Sequence, residues 1–245
     1  ARLRRLDVPT IIIESNLRAG DSWRKRYKSL CLHDSVWYDH MPYLPFPDDW
    51  PIYTPKDKLG DWLEAYVKIM ELSYWTSSIC QSAAYDNATG EWEVSIMRDG
   101  APVTLRPKHL VLATGMSGVP HMPELTGADK FKGKLVHSSK HLSSEGYQGG
   151  KCVIIGSNNS AHDICADLWE NGANVTMVQR SSTLVAKSDT LFKLGSSKLY
   201  SEEALEKGIT TDIADMINAS QPYRVLTELS KPACSELQKH DQNFY

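Results

Sequence analysis

The run Lys151-Cys152-Val153-Ile154-Ile155-Gly156-Ser157-Asn158-Asn159-Ser160-Ala161 decides how this chain folds. Cys152 to Ile155 is a short apolar block of the kind found in strands buried on both faces of a parallel sheet. From Asn159 to Asn171 the spacing predicts a helix, with Ile164, Leu168 and Trp169 on one face and Gly172 at its end. Asn174 to Gln179 predicts a second strand. Together they make a strand–helix–strand unit of about thirty residues. Between the first strand and the helix, Gly156 to Ala161 nearly repeats the GxGxxG/A pattern. The first glycine permits the tight turn, the last small residue lets helix and strand pack closely, and a pyrophosphate sits on the N–H groups at the helix start. Asn158 replaces the middle glycine. Asparagine tolerates left-handed backbone better than most residues, though its side chain takes space near a phosphate. Gly156, Asn158, Asn159 and Ser160 are therefore candidate cofactor-binding residues.

The tip of the second strand selects the nucleotide. An acid there would hold both ribose hydroxyls; here Arg180 stands about 24 residues after Gly156, followed by Ser181 and Ser182. A guanidinium with hydroxyls beside it suits a 2′-phosphate, so NADPH is expected rather than NADH. Near the start of the chain the charge is opposite. Val8-Pro9-Thr10-Ile11-Ile12-Ile13-Glu14 reads as a strand ending in an acid, the arrangement that holds a ribose diol. The glycine turn belonging to it would lie about 20 residues earlier, before Ala1, so the chain is expected to be cut inside its first nucleotide unit. Two dinucleotides on two modules imply electron transfer between them, most simply from NADPH to FAD.

Working outward, Ala1 to Leu6 predicts the end of a helix, and a second helix opens at Lys56 with Leu59, Trp62, Leu63, Tyr66, Ile69 and Met70 at helical spacing. Ile79 to Tyr85 and Trp92 to Met97 flank the turn Asp86 to Gly90 and predict a hairpin, which Val103 to Leu105 extends. His109 to Gly115 predicts a further strand running into a small-residue turn. Residues 116–150 read as a connection, and helices are expected near Glu202–Lys207 and Tyr223–His240. The fold expected is α/β with two Rossmann-like dinucleotide-binding domains, both incomplete: 1–142 for FAD with its connection, and 143–245 for NADPH.

Composition narrows the function further. With 41% hydrophobic and 23% charged residues the chain is not disordered, collagenous or a coiled coil. Lys and Arg total 27 against 30 Asp and Glu, which gives no bulk attraction for nucleic acid or anionic lipid. No apolar stretch approaches the roughly 20 residues a membrane-spanning helix needs. Cys31, Cys80, Cys152, Cys165 and Cys234 are odd in number and contain no CxxC, which argues against a disulfide framework or a zinc site. A reducing, cytoplasmic setting and no metal are expected. A compact chain of this size would expose roughly 11,000 Å² of the about 40,000 Å² available to an extended one.

Four segments resemble the flavin-containing monooxygenases, a class that includes the plant YUCCA-type and Baeyer–Villiger enzymes. Phe131 to His141 resembles the pattern FxGxxxHxxx(Y/H). Ala113-Thr114-Gly115 with Pro120 and Pro123 resembles the "ATG" segment ahead of it. Gly20-Asp21-Ser22-Trp23-Arg24 resembles the flavin-contacting GGxW loop, with Asp21 for the second glycine. Gly156 to Asp163 resembles the NADPH turn GxGNSAxD. Leu32-His33-Asp34 stands where many members carry LxTNxP, which is closer to the YUCCA-type branch. The resemblance implies a monooxygenase that uses NADPH and FAD to place one atom of O2 in a small organic substrate through a flavin 4a-hydroperoxide. It implies flavin contacts at Glu14, Ser22, Trp23, Arg24, Thr114 and Gly115, with Trp23 stacking on or packing beside the ring. It implies that His137 and Ser138 couple the two domains, and that His33 is a catalytic candidate near the flavin. It also implies that the flavin domain is completed after Tyr245. Oligomeric state and substrate stay open. A non-catalytic nucleotide-binding fragment is the alternative, and a flavin disulfide reductase a weaker one, since no cysteine pair exists at redox spacing.

Overall fold

The computed structural model describes residues 1–47, 49–115, 118–181, 183, 185–194 and 196–240. The chain forms two compact units, one of Ala1–Lys28 with Lys56–Leu142 and one of Ser29–Pro55 with Ser143–Tyr245.

In the first unit a short helix α1 (Arg2–Arg5) leads to strand β1 (Ile12–Ile13). The strand is much shorter than the run from Val8 to Glu14 suggests. It pairs in parallel with β2 (Tyr74–Trp75), Ile12 opposite Tyr74, and Glu14 extends the pairing by donating its N–H to Trp75. Helix α2 (Asp21–Arg24) packs on α3 (Lys56–Ile69), whose buried Leu59, Trp62 and Tyr66 follow the expected spacing. Trp62 and Tyr66 stack with centroids 5.1 Å apart, while Ile69 turns outward. The two helices meet at glycines. Gly20 has φ +87°, and a Cβ placed there would stand 2.2 Å from the Gly60 carbonyl oxygen.

Strands β3 (Ser78–Asp86), β4 (Glu91–Arg98) and β5 (Ala101–Leu105) form the expected antiparallel meander. The Asp86 carboxylate closes the β3–β4 turn by accepting from Ala88 N–H and the Thr89 hydroxyl. Val94 and Ile96 are the buried residues of β4, and Ser78 that of β3. The strand expected over His109 to Gly115 is absent: this run is irregular, with Val111 and Leu112 75% and 81% exposed. An apolar run becomes a strand only where a neighbouring strand pairs with it, and among the described residues none does.

In the second unit β6 (Lys151–Ile155), α4 (Asn159–Glu170) and β7 (Asn174–Val178) form the strand–helix–strand element, with β6 and β7 parallel and Ile154 opposite Met177. Ile164, Leu168 and Ala173 pack against Tyr147, Cys152, Ile154 and Val175. The strands alternate, so Val153, Ile155 and Val178 lie exposed on the opposite face, and burial on both faces is corrected to burial on one. Trp169 is 70% exposed because it follows Leu168 by about 100° around the helix and leaves the packed face. Helices α5 (Ser188–Leu194), α6 (Glu202–Glu206), α7 (Thr211–Ser220) and α8 (Tyr223–His240) follow; the sequence pattern showed only α6 and α8.

Residues 29–55 form a strap on this unit. Leu32 N–H donates to Thr54, and Val36 N–H donates to Ile52, which closes the strap on itself. Phe46 is buried and stacks on Trp50. The Ser35 hydroxyl donates to the Tyr200 carbonyl, the Thr211 hydroxyl donates to the Trp37 carbonyl, and the Tyr38 and Tyr200 rings meet edge-on at 4.7 Å. The aromatic residues of this aperiodic segment therefore act mainly as pins.

Candidate functional site

The turn between β6 and α4 is built from backbone. Gly156 donates its N–H to the Val178 carbonyl and so ties the turn to the end of β7. Its φ is +152°, and a Cβ there would stand 3.3 Å from Ala161 Cβ, so the glycine–alanine pair sets how closely turn and helix approach. Asn158 has φ −97° and ψ 175°, which is extended backbone. The middle position of the motif needs no left-handed residue here. Asn158 instead caps α4: its Oδ1 accepts from Asn159 N–H at 3.0 Å, and its carbonyl accepts from Ala161 and His162. The Thr183 hydroxyl donates to the Ser157 carbonyl at 2.6 Å and fastens the loop after β7 to the same turn.

Arg180 and Ser181 follow β7 and are exposed. Arg180 makes no hydrogen bond or ion pair among the described residues. Ser182 lies outside them. A helix start with its partial positive charge, a glycine turn and an uncommitted guanidinium at the neighbouring strand tip suit a ligand bearing phosphates.

Within the same unit a cavity of about 630 Å³ is lined by His33, Tyr38, Asn159, Asp163, Phe192 and Tyr200 among others. His33 uses both ring nitrogens. Nδ1 faces the Asn159 side-chain amide nitrogen, and Nε2 lies 3.1 Å from Asp163 Oδ2. The amide nitrogen can only donate, so Nδ1 accepts and the ring proton sits on Nε2, where it donates to the carboxylate. Tyr200 donates its hydroxyl to Asp215 at 2.9 Å and accepts from Asn218, and burial together with Asp215 pushes its phenol above the ordinary value. Sequence reasoning assigned no role to Asp163, Thr183 or Tyr200. Asp163 was nonetheless visible as the last letter of the GxGNSAxD-like segment, whereas nothing local marks the other two.

The candidates of the first unit are more dispersed. Glu14 stands just beyond β1, and its Oε1 accepts from Asn16 N–H, the Asn16 amide and the Ser15 hydroxyl. Its Oε2 has no partner among the described residues. Ser22 is exposed on α2; Trp23 is half-buried with the Arg26 guanidinium 4.9 Å above its ring. Arg24 is turned inward, donating to Ala19, Asp21, Asp61 and Glu64. Hydrogen bonds to Asp61 and Asp21 hold it above its ordinary pKa although burial opposes this. Thr114 and Gly115 lie in the exposed irregular run. His137 caps a single 3-10 turn, its Nδ1 accepting from Ser139 N–H, and Ser138 opens that turn. Among the described residues no group of three His, Cys, Asp or Glu side chains is placed to hold a metal, and no helix is long and apolar enough to cross a membrane.

A strand–glycine turn–helix with a basic strand tip defines the class of dinucleotide-binding α/β proteins. Comparison with known proteins then gives the family. Residues 16–231 match the family described as Flavin-binding monooxygenase-like, and the chain belongs to it. It is 34% identical over 179 residues to indole-3-pyruvate monooxygenase YUCCA1 of Oryza sativa subsp. japonica, across 73% of this chain and 43% of the relative. Among solved structures it resembles a flavin-containing monooxygenase from Stenotrophomonas maltophilia, with a TM-score of 0.63 at 21% identity over 75% of this chain and 62% of that one. It also resembles the bacillithiol disulfide reductase of Bacillus cereus, with a TM-score of 0.63 at 17% identity over 79% of this chain and 60% of that one. The structural likenesses show the fold. The chain spans less than half the length of the curated relatives it matches.

Proposed function

We propose that this chain is part of an NADPH- and FAD-dependent monooxygenase that places one atom of O2 in a small organic substrate. The observation that carries the reading is the uncommitted Arg180 at the tip of β7, beside a glycine turn and a capped helix start, in a chain of the flavin-binding monooxygenase-like family. The backbone of Gly156, Asn158, Asn159 and Ser160 would receive the pyrophosphate, with Arg180 and Ser181 at the 2′-phosphate. In the first unit, the unpartnered Oε2 of Glu14 suits a ribose hydroxyl of FAD. Ser22, Trp23, Thr114 and Gly115 are assigned to the flavin as well. Arg24 serves the flavin indirectly, since its donors are spent on Asp21, Asp61 and Glu64 and it would hold α2 in place. His137 and Ser138 are assigned to the connection between the nucleotide domains. When bound, the flavin supplies the hydride and oxygen chemistry; the protein binds, orients and excludes water.

The relatives named for indole-3-pyruvate make a 2-oxo acid one candidate substrate, alongside ketones and soft nitrogen or sulfur centres. The five scattered free thiols support a reducing, cytoplasmic setting and give no support to disulfide reduction. The test is a titration of the 245-residue chain with NADP+ and NAD+, beside Arg180→Ala. Wild type should prefer NADP+, and the variant should lose about tenfold or more for NADP+ while its NAD+ affinity holds. An unchanged NADP+/NAD+ ratio removes Arg180 from its role, and no NADP+ binding by the wild type overturns the nucleotide reading.

A further inference from the structure

We infer that His33 is a positioning residue for the nucleotide, acting through Asp163 and Asn159. This inference rests on placing NADPH at the start of α4. Asn159 is the first residue of that helix and Asp163 lies one turn on, so both project from one side of its first two turns. His33 comes from the strap and touches both. Its ring does two things there. It fixes the Asn159 side chain next to the backbone N–H groups that face a phosphate. It also donates a hydrogen bond to the Asp163 carboxylate, drawing its negative charge toward the ring and away from an anionic ligand at the same helix end.

The rest of the strap makes this a defined geometry. Ser35 is tied to Tyr200 and Trp37 to Thr211, so His33 is presented to α4 from a segment anchored on the far side of the cavity. With both nitrogens engaged, the imidazole is arranged to hold the helix start, and carrying a proton to substrate would break the arrangement. His33 should therefore set the affinity for the nucleotide, and its loss should be felt through the Asp163 carboxylate and the Asn159 side chain that it holds.

The experiment measures NADP+ dissociation constants and thermal midpoints for the 245-residue chain, wild type, His33→Ala, Asp163→Asn, the double variant and His33→Gln, with Arg180→Ala beside them. His33→Ala should weaken NADP+ about tenfold, the size of one hydrogen bond to a charged group. Asp163→Asn added to it should restore most of that loss, because the charge is gone. Gln offers an acceptor and a donor at similar reach and should stay within about threefold of wild type. A purely structural strap would lower the thermal midpoint of His33→Ala with no rescue by Asp163→Asn, and that result overturns the inference. So does an unchanged affinity in His33→Ala while Arg180→Ala loses NADP+, in which case the nucleotide site itself stands. If the wild type binds no NADP+, the site assignment and the inference fall together.

Discussion

Asp39 is half-buried in the strap, and burial, with the charge of Asp34 nearby, pushes its carboxyl up from 3.8 to about 6. A raised carboxylate favours the folded state below its unfolded value, near pH 4, and that contribution is lost as pH rises through about 6. At pH 8 the ionised group is a burden that Asp39→Asn removes. The variant should raise the thermal midpoint of the second unit by about 2–4 °C at pH 8 and change it little at pH 4. An equal shift at both values would separate the effect from the charge. At this scale the sequence showed chemistry better than geometry. Gly156, Arg180 and Glu14 stand at the turn and strand tips where their spacing placed them. Asn158 was legible as the odd letter of the motif but not as a helix cap, because its backbone angles depend on where α4 starts. The two contacts of His33 join it to residues 126 and 130 positions away, and no local pattern carries such pairings.

Between elements, the contact of α2 with α3 depends on the absence of a side chain. A methyl group at position 20 would meet the Gly60 carbonyl and force a left-handed residue to carry a Cβ. Gly20→Ala should destabilise the first unit by about 2–4 kcal/mol, from backbone strain plus overpacking. Thermal unfolding followed by circular dichroism would measure it, and a midpoint equal to wild type would mean the helices do not approach this closely. Elements with their own periodicity were legible: α3, the meander and the β6–α4–β7 unit all stand near their expected limits. Where the signal was hydrophobicity alone it misled, as at His109 to Gly115. Helix α7 escaped notice because Ile213, Met216 and Ile217 make a single apolar repeat in ten residues, too short to stand out, and all three are exposed.

For the molecule as a whole, large apolar side chains stand at the surface of both units. Val111, Leu112, Val153, Ile155 and Val178 all face outward. The isolated 245-residue chain should bind a hydrophobic dye strongly and associate as its concentration rises, seen by dye fluorescence and light scattering. Dye binding no greater than that of a compact protein of equal size would show these faces covered. Fold class was legible at this scale because the β6–α4–β7 unit follows the strand–turn–helix pattern. The membership of the strap was not, since its sequence is aperiodic.

That membership has a consequence for biosynthesis. Ser35 and Trp37 are made early, but their partners Tyr200 and Thr211 lie 165 and 174 residues downstream. At ribosomal speeds of about 5–20 residues per second, the strap waits roughly 10–30 s before it can dock. Through that interval Trp37, Tyr38, Phe46 and Trp50 are displayed on a nascent chain that is already folding on either side of them, and a chaperone acting during translation would find its target there.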